Sequence, residues 1–163
     1  MAILKPKLGG PRVLGTARRT FALVASQYNP EFVQGLVDHA AQEFTRIAPS
    51  ARLSLYQVPG AFEIPVLIQE LAMLPNNDID AIVALGVIIQ GETEHAAHIA
   101  RTVTDALQQI ALSSRIPVIH QVLSCKDEAQ AKTRCLDEEL NRGIEAARAA
   151  VSMANIVSQV RGQ

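Results

Sequence analysis

Short apolar runs alternate with longer segments of helical periodicity from Phe21 to the end of the chain. A short apolar run bounded by polar residues predicts a buried strand, whereas apolar residues three or four positions apart predict a helix. The run Ala81–Ile89 is apolar on both alternating faces, which is typical of a central parallel strand covered by helices on both sides. The predicted strands are Phe21–Ala25, Leu53–Val58, Ala81–Ile89 and Val118–Leu123.

A helical stripe follows each of these strands. Asn29 and Pro30 predict an N-cap and a first helical residue. Pro65 falls near the first turn of the next helix, where the missing N–H costs little. The helices are predicted from the stripe Phe32, Leu36, Ala40, Phe44 and Ile47, from the segment Phe62–Leu74, from Ile99, Val103, Leu107 and Ile110, and from Leu140, Ile144, Ala147, Val151 and Ala154.

Four strand-then-helix units of this kind predict an α/β fold with a doubly wound, four-stranded parallel sheet, because parallel connections are right-handed. We expect residues 21–163 to form this single domain. The first 20 residues contain Gly9, Gly10, Pro6 and Pro11, which favour an extended N-terminal arm over 1–20.

The composition excludes several classes of function. Of the 163 residues 48% are hydrophobic, and 15 basic against 16 acidic residues give a net charge of −1. We expect no nucleic-acid partner, since phosphate binding requires a basic surface. We also expect no membrane partner, because the longest apolar run is far shorter than the ~20 residues that span a bilayer. Without a secretory signal or a disulfide framework from Cys125 and Cys135, the sequence predicts a cytoplasmic protein.

Ligands of such folds bind beyond the carboxyl ends of the strands. The loops at this edge are 26–29, 59–63, 90–95 and 124–127. In the turn Gly91–His95, free N–H groups, a helix dipole and the Thr93 hydroxyl favour an anion site. The alternative is a capping turn in which Glu92 and Glu94 complement the dipole. Two carboxylates beside a phosphate require a nearby cation, for which Arg134 is a candidate.

His95 is a candidate proton carrier, since imidazole changes its charge near neutral pH. His95 and His98 could instead bind a metal, but no third ligand at a recognisable spacing accompanies them, so we expect no metal site. Tyr28 could stack on a flat ring, and Glu63 could accept hydrogen bonds from hydroxyls. A half-buried tyrosine and a helix-start glutamate are the simpler alternatives for these two residues.

Three motifs in fixed order resemble the lumazine synthase family. They are SQYN over Ser26–Asn29, VPGAFEIP over Val58–Pro65 and LGVIIQGETEH over Leu85–His95. The likeness extends from about Phe21 to Val160 in unbroken order, and VPGAFEIP together with the GETEH segment makes it specific.

The resemblance implies a flavodoxin-like three-layer sandwich, which an N-terminal strand from or to a neighbouring subunit could extend. It implies a transferase, 6,7-dimethyl-8-ribityllumazine synthase, which acts in the penultimate step of riboflavin biosynthesis without a cofactor or metal. The reaction condenses 5-amino-6-(D-ribitylamino)uracil with 3,4-dihydroxy-2-butanone 4-phosphate. Beyond these small-molecule substrates, the implied partners are further copies of the chain, as a homopentamer or a 60-subunit icosahedral capsid.

The resemblance also assigns roles to individual residues. His95 matches the proton-transferring histidine, and Arg134 matches the phosphate-binding arginine. The residues implied in substrate binding are Tyr28, Ala61, Phe62, Glu63, Val87, Ile88, Ile89 and His120, and those implied in phosphate binding are Glu92, Thr93 and Arg134.

Several positions depart from the family pattern. Ala96 and Ala97 stand where the family has an aromatic residue and an acid, and His120 stands where it has a phenylalanine. These departures leave two alternatives to the enzyme: a non-catalytic flavin- or lumazine-binding paralogue, and a shell-forming protein of the same fold.

Overall fold

A computed structural model describes residues 18–162, so all but the last three residues of the predicted N-terminal arm lie outside the described part. The described chain forms a sheet of four parallel strands in the order β2-β1-β3-β4. The strands are β1 (Thr20–Ser26), β2 (Arg52–Val58), β3 (Ala81–Ile89) and β4 (Val118–Cys125). The predicted sheet is confirmed, with β1, β2 and β4 each one or two residues longer than expected.

Five α-helices cover the sheet, and a short 3-10 helix (Ala61–Glu63) precedes the second of them. They are α1 (Pro30–Ile47), α2 (Ile64–Ala72), α3 (His95–Ser114), α4 (Glu128–Cys135) and α5 (Arg142–Arg161). Among the described residues, no helix combines the length and the apolar character needed to cross a lipid bilayer.

The helices form two layers on opposite faces of the sheet. Alternate side chains of β1 belong to two separate core clusters, because successive residues of a strand point to opposite faces. Phe21 and Leu23 pack with α1, α4 and α5, whereas Ala22 and Val24 pack with α2 and α3. The three-layer α/β sandwich is thereby confirmed.

The central strand β3 is buried as predicted, whereas the edge strand β2 is largely exposed. β3 is buried on both faces over all but its last residue. β2 lies at an edge of the sheet, and its Leu53, Leu55 and Tyr56 are exposed. An edge of this kind leaves backbone and apolar groups open to another strand or chain.

Four details of the sequence prediction need correction. The second helix spans Ile64–Ala72 after a 3-10 turn at Ala61–Glu63, rather than Phe62–Leu74, and Leu140 lies in the turn before α5. Loop 124–127 is shorter than expected, since β4 continues to Cys125. Helix α4 was not predicted, because only two of its residues, Ala131 and Cys135, are buried and so little apolar periodicity reaches the sequence.

The α1–α5 contact depends on a glycine. A Cβ on Gly143 would overlap the carbonyl oxygen of Leu36, so only glycine permits this approach of the two helices. The side chain of Asn141 caps the same turn by accepting a hydrogen bond from the Gly143 N–H at 2.7 Å.

A buried carboxylate also links these helices. Glu43 of α1 accepts hydrogen bonds from Arg46 Nε (2.8 Å) and, across the interface, from Arg148 Nε (2.6 Å). The hydrogen bonds from Arg46 and then Arg148 lower the pKa of Glu43 to about 2, against the opposing effect of burial.

We predict that Glu43→Gln lowers the free energy of unfolding at pH 7 by about 1.5 to 3 kcal/mol, the usual range for hydrogen bonds to a charged group. Because folding depresses this pKa, the stabilisation is present above pH 4.5 and is lost as the pH falls towards 2. Urea unfolding at pH 7 and pH 3 measures the difference. The control is Glu70→Gln, which changes an exposed carboxylate without an ion pair among the described residues. If Glu43→Gln lowered the free energy of unfolding equally at pH 7 and pH 3, the prediction would be contradicted.

Candidate active site

A cavity of about 830 Å³ opens at the carboxyl edge of the sheet. The loops after β1 and β2, the end of β3 and the first turns of α3 form its walls, where ligands of parallel α/β folds bind. The cavity brings together nine of the residues assigned by the resemblance: Tyr28, Ala61, Phe62, Glu63, Val87, Ile88, Ile89, Thr93 and His95.

Asn29 fixes the loop that carries Tyr28. Its backbone is left-handed (φ 54°), and its side-chain amide donates to the carbonyl oxygen of Val87 at 2.8 Å. Asn29 therefore occupies the N-cap position of α1, as predicted, but its side chain makes no capping hydrogen bond. It instead ties the β1 loop to the end of β3, and Tyr28 beside it is 73% exposed at the cavity.

The wall after β2 combines an aromatic ring with a carboxylate. Phe62 is 58% exposed, and Glu63 is half-buried without a hydrogen bond from any described residue to its carboxylate. A Cβ on Gly60 would lie 2.9 Å from Glu63 Oε2, so glycine leaves room for this carboxylate. Glu63 is thus free to accept hydrogen bonds from a polyhydroxyl ligand.

The end of β3 supplies an apolar wall. Val87 and Ile88 are buried, and Ile89 is half-buried. Their strand backbone ends where the next turn begins, with Gln90 N–H donating to Cys125 carbonyl oxygen at 2.8 Å. A flat, apolar ring system fits a wall of this composition.

The turn before α3 is open to solvent. Glu92, Thr93 and Glu94 are exposed, and α3 begins at His95 without a side-chain capping hydrogen bond. The first N–H groups of α3 therefore remain available to an anion, while the alternative, in which Glu92 and Glu94 only complement the helix dipole, stays open. Thr93 and His95 line the cavity, whereas Glu92 does not.

His120 lies on β4, away from the cavity walls. Its Nε2 is 2.7 Å from Thr104 Oγ1, and Thr104 itself donates to the Ala100 carbonyl oxygen. Nε2 must then donate to Thr104, so Nδ1 accepts from the Val122 N–H at 3.2 Å. This pattern requires a neutral ring, and burial lowers the pKa of His120 in the same direction.

Arg134 lies on α4, in the opposite helix layer from the α3 turn, and does not line the cavity. It is half-buried and forms no ion pair among the described residues. The positive charge of Arg134 lowers the pKa of the Cys125 thiol, but burial has the larger effect and raises it. Burial likewise raises the pKa of Cys135 to about 12, and both cysteines pack as free thiols, as predicted.

The sequence interpretation missed part of the cavity wall. Ala96, His98, Ile99 and Thr102 also face the cavity from α3. The positions 95, 98, 99 and 102 share one face of a helix, so helical spacing from His95 was the available signal. Within residues 18–162, no group of three or more histidine, cysteine, aspartate or glutamate side chains is arranged to hold a metal ion.

The fold and the cavity place the chain among three-layer α/β proteins that bind small molecules at the carboxyl edge of a parallel sheet. The family model for 6,7-dimethyl-8-ribityllumazine synthase matches residues 18–158. The chain belongs to this family.

Curated relatives agree with this assignment. The protein named 6,7-dimethyl-8-ribityllumazine synthase from Halorhodospira halophila is 36% identical to this chain, over 86% of this chain and 89% of the relative. The protein of the same name from Chlorobium phaeobacteroides is 39% identical, over 85% of this chain and 89% of the relative. The enzyme of the same name from Aquifex aeolicus is 37% identical over 86% of this chain and 91% of its own length.

We predict that Asn29→Ala destabilises the protein by about 1 kcal/mol more than Asn29→Gly, because only alanine resists the left-handed backbone. Both variants lose the hydrogen bond to Val87, so their difference isolates the backbone strain. Urea unfolding of the two variants measures it, and equal stabilities would show that the left-handed conformation is not retained.

Proposed function

We propose that this chain is a transferase that condenses 5-amino-6-(D-ribitylamino)uracil with 3,4-dihydroxy-2-butanone 4-phosphate to form 6,7-dimethyl-8-ribityllumazine. The observation that carries the proposal is the cavity, in which Tyr28, Glu63, Val87, Thr93 and His95 converge from separate loops of a chain that belongs to this family.

The reaction defines what the site must do. The aromatic amine adds to the ketone and loses water to form an imine, phosphate leaves, and ring closure releases a second water. No step is a redox change, so no redox cofactor is called for. Holding the two substrates together supplies about 7 to 11 kcal/mol of barrier reduction, and the remaining task is proton transfer.

The cavity offers a place for each part of the first substrate. We assign the pyrimidine ring to a position against Tyr28 and the apolar end of β3, where stacking and apolar contact favour a flat ring. We assign the ribityl hydroxyls to a position beside the 3-10 helix, because the Glu63 carboxylate accepts no hydrogen bond from the described residues and can accept them from hydroxyls. The residues of this binding surface are Tyr28, Ala61, Phe62, Glu63, Val87, Ile88 and Ile89.

We assign the phosphate of the second substrate to the turn before α3. The N–H groups at the helix start and the Thr93 hydroxyl suit an anion, while Glu92 borders the same turn. Two carboxylates at this turn oppose phosphate binding unless a cation offsets them, which is the role of Arg134. His95, two residues after Thr93, transfers the protons.

We propose that Arg134 and His120 complete the site of a neighbouring subunit. Neither lines the cavity of its own chain, although the resemblance assigns both to the site. The exposed β2 edge, with Leu53 and Leu55, is suited to burial against another copy. We infer that the chain forms a homopentamer. Light scattering would detect the association of such pentamers into a 60-subunit capsid. The free thiols agree with a cytoplasmic location.

The first prediction from this proposal concerns His95. Mixing both substrates with the wild-type chain should produce the lumazine chromophore, whereas His95→Ala should lower kcat about 10-fold to 1,000-fold, because a proton carrier is lost. Size-exclusion chromatography of the variant serves as the control for assembly. A wild-type chain that binds lumazine but forms none would identify a non-catalytic paralogue instead.

The shared site predicts complementation between two inactive variants. In rings of His95→Ala and Arg134→Gln subunits mixed in equal amounts, about one quarter of the interfaces join an intact His95 to an intact Arg134. Co-expression should therefore restore up to about a quarter of the wild-type activity. Each variant expressed alone is the control, and no recovery in the mixed rings would contradict a site shared between His95 of one subunit and Arg134 of the next.

A further inference from the structure

His98 faces the same cavity as His95, one helical turn further along α3. Residues three and four positions apart share a face of a helix, so His98, Ile99 and Thr102 continue the wall that His95 begins. Three residues correspond to a rise of about 4.5 Å along the helix axis. The cavity therefore contains two imidazoles at different depths along one wall.

A carboxylate accompanies His98. Glu94 Oε2 lies 3.7 Å from His98 Nε2, in an i to i+4 arrangement within the first turns of α3. The side chain of His98 is 75% exposed and that of Glu94 is 90% exposed, and a pair so exposed to solvent contributes little to folding stability. The folded state of the chain thus gives no strong structural reason for this pair.

The two residues between the histidines carry no polar side chain. Ala96 lines the cavity and Ala97 is exposed, and neither has a side chain that can hydrogen bond to His95 or to a substrate. The carboxylate nearest to this wall is consequently that of Glu94, which does not line the cavity itself but contacts His98, which does. The other ionisable groups on the cavity walls are Tyr28 and Glu63, from the loops after β1 and β2, together with His95.

We propose that His98, paired with Glu94, is a second proton carrier for the condensation; this inference rests on the proposed function. His95 lies nearest the phosphate turn and serves phosphate departure. His98 donates its proton to the hydroxyl of the carbinolamine as the C–O bond breaks, so that water leaves. The nitrogen lone pair forms the C=N bond, and the resulting iminium returns a proton to the imidazole, which restores His98.

The test compares His98→Gln with His39→Gln, which makes the same chemical change on α1. His39 does not line the cavity, and its Nδ1 lies 2.8 Å from the Gly35 carbonyl oxygen. We expect His98→Gln to lower kcat at least about 10-fold with little change in KM, and His39→Gln to leave both unchanged. Added imidazole should restore part of the activity of His98→Ala, because the cavity is open to it.

The pH dependence gives an independent measurement. A proton carrier of the rate-limiting step contributes to the pH dependence of kcat, so His98→Gln should change that dependence and His39→Gln should leave it as in the wild type. Unfolding in urea shows whether each variant remains folded, as the exposure of the His98 side chain leads us to expect for His98→Gln.

Two results overturn the inference. If the wild-type chain forms lumazine while His98→Gln keeps the wild-type kcat and pH profile, the second proton carrier is wrong and the proposed function stands. If the wild-type chain forms no lumazine from the two substrates, the proposed function and this inference fall together. A His98→Gln variant that lowers kcat but has an unchanged pH profile, without imidazole rescue of His98→Ala, also contradicts proton transfer by His98.

Discussion

The burial of β3 on both faces is the constraint on which the rest of the structure depends. The segment Ala81–Ile89 has no polar face, so helices must cover both sides of it. Its neighbours β1 and β4 are parallel to it, because each connection carries a helix across one face of the sheet. All four strands then end at one edge, where the loops after β1 and β2, the end of β3 and the first turns of α3 form the cavity walls. The position of the site is a consequence of how one apolar strand is covered.

The same layering separates the charges that a phosphate site requires. The turn before α3 carries Glu92 and Glu94, which complement a helix dipole but repel a phosphate. Arg134 stands on α4, in the layer beyond the sheet, and has no ion-pair partner among the described residues. Within one chain the carboxylates and the cation therefore cannot act on one ligand at the cavity. In the proposed ring, a neighbouring subunit would bring its Arg134 to this turn, which would account for a half-buried arginine without a carboxylate partner among the described residues.

The parts of this structure that the sequence predicts are those with a local physical signal. β3 and α1 have the predicted bounds, because an uninterrupted apolar run and a regular stripe ending at Ile47 each have one interpretation. Helix α4 has too few buried residues to give a stripe. The hydrogen bond of Asn29 joins it to Val87, and that of His120 joins it to Thr104 on another element. Contacts between distant segments arise only once the sheet has brought them together, so no local pattern predicts them.

Exposure of the cavity connects assembly to chemistry. Tyr28 and Phe62 present aromatic surface to solvent at its mouth, with 73% and 58% of each residue exposed. Charge interactions are weak in water and strengthen when water is excluded, so a proton carrier and a phosphate-binding arginine act best in a closed site. A neighbouring subunit in the proposed ring would cover these aromatic rings as it contributes Arg134 and His120. Covering apolar surface stabilises the ring, and the same contact removes water from the reacting groups. Assembly would then supply both the missing cation and the dry surroundings in which His95 can transfer protons.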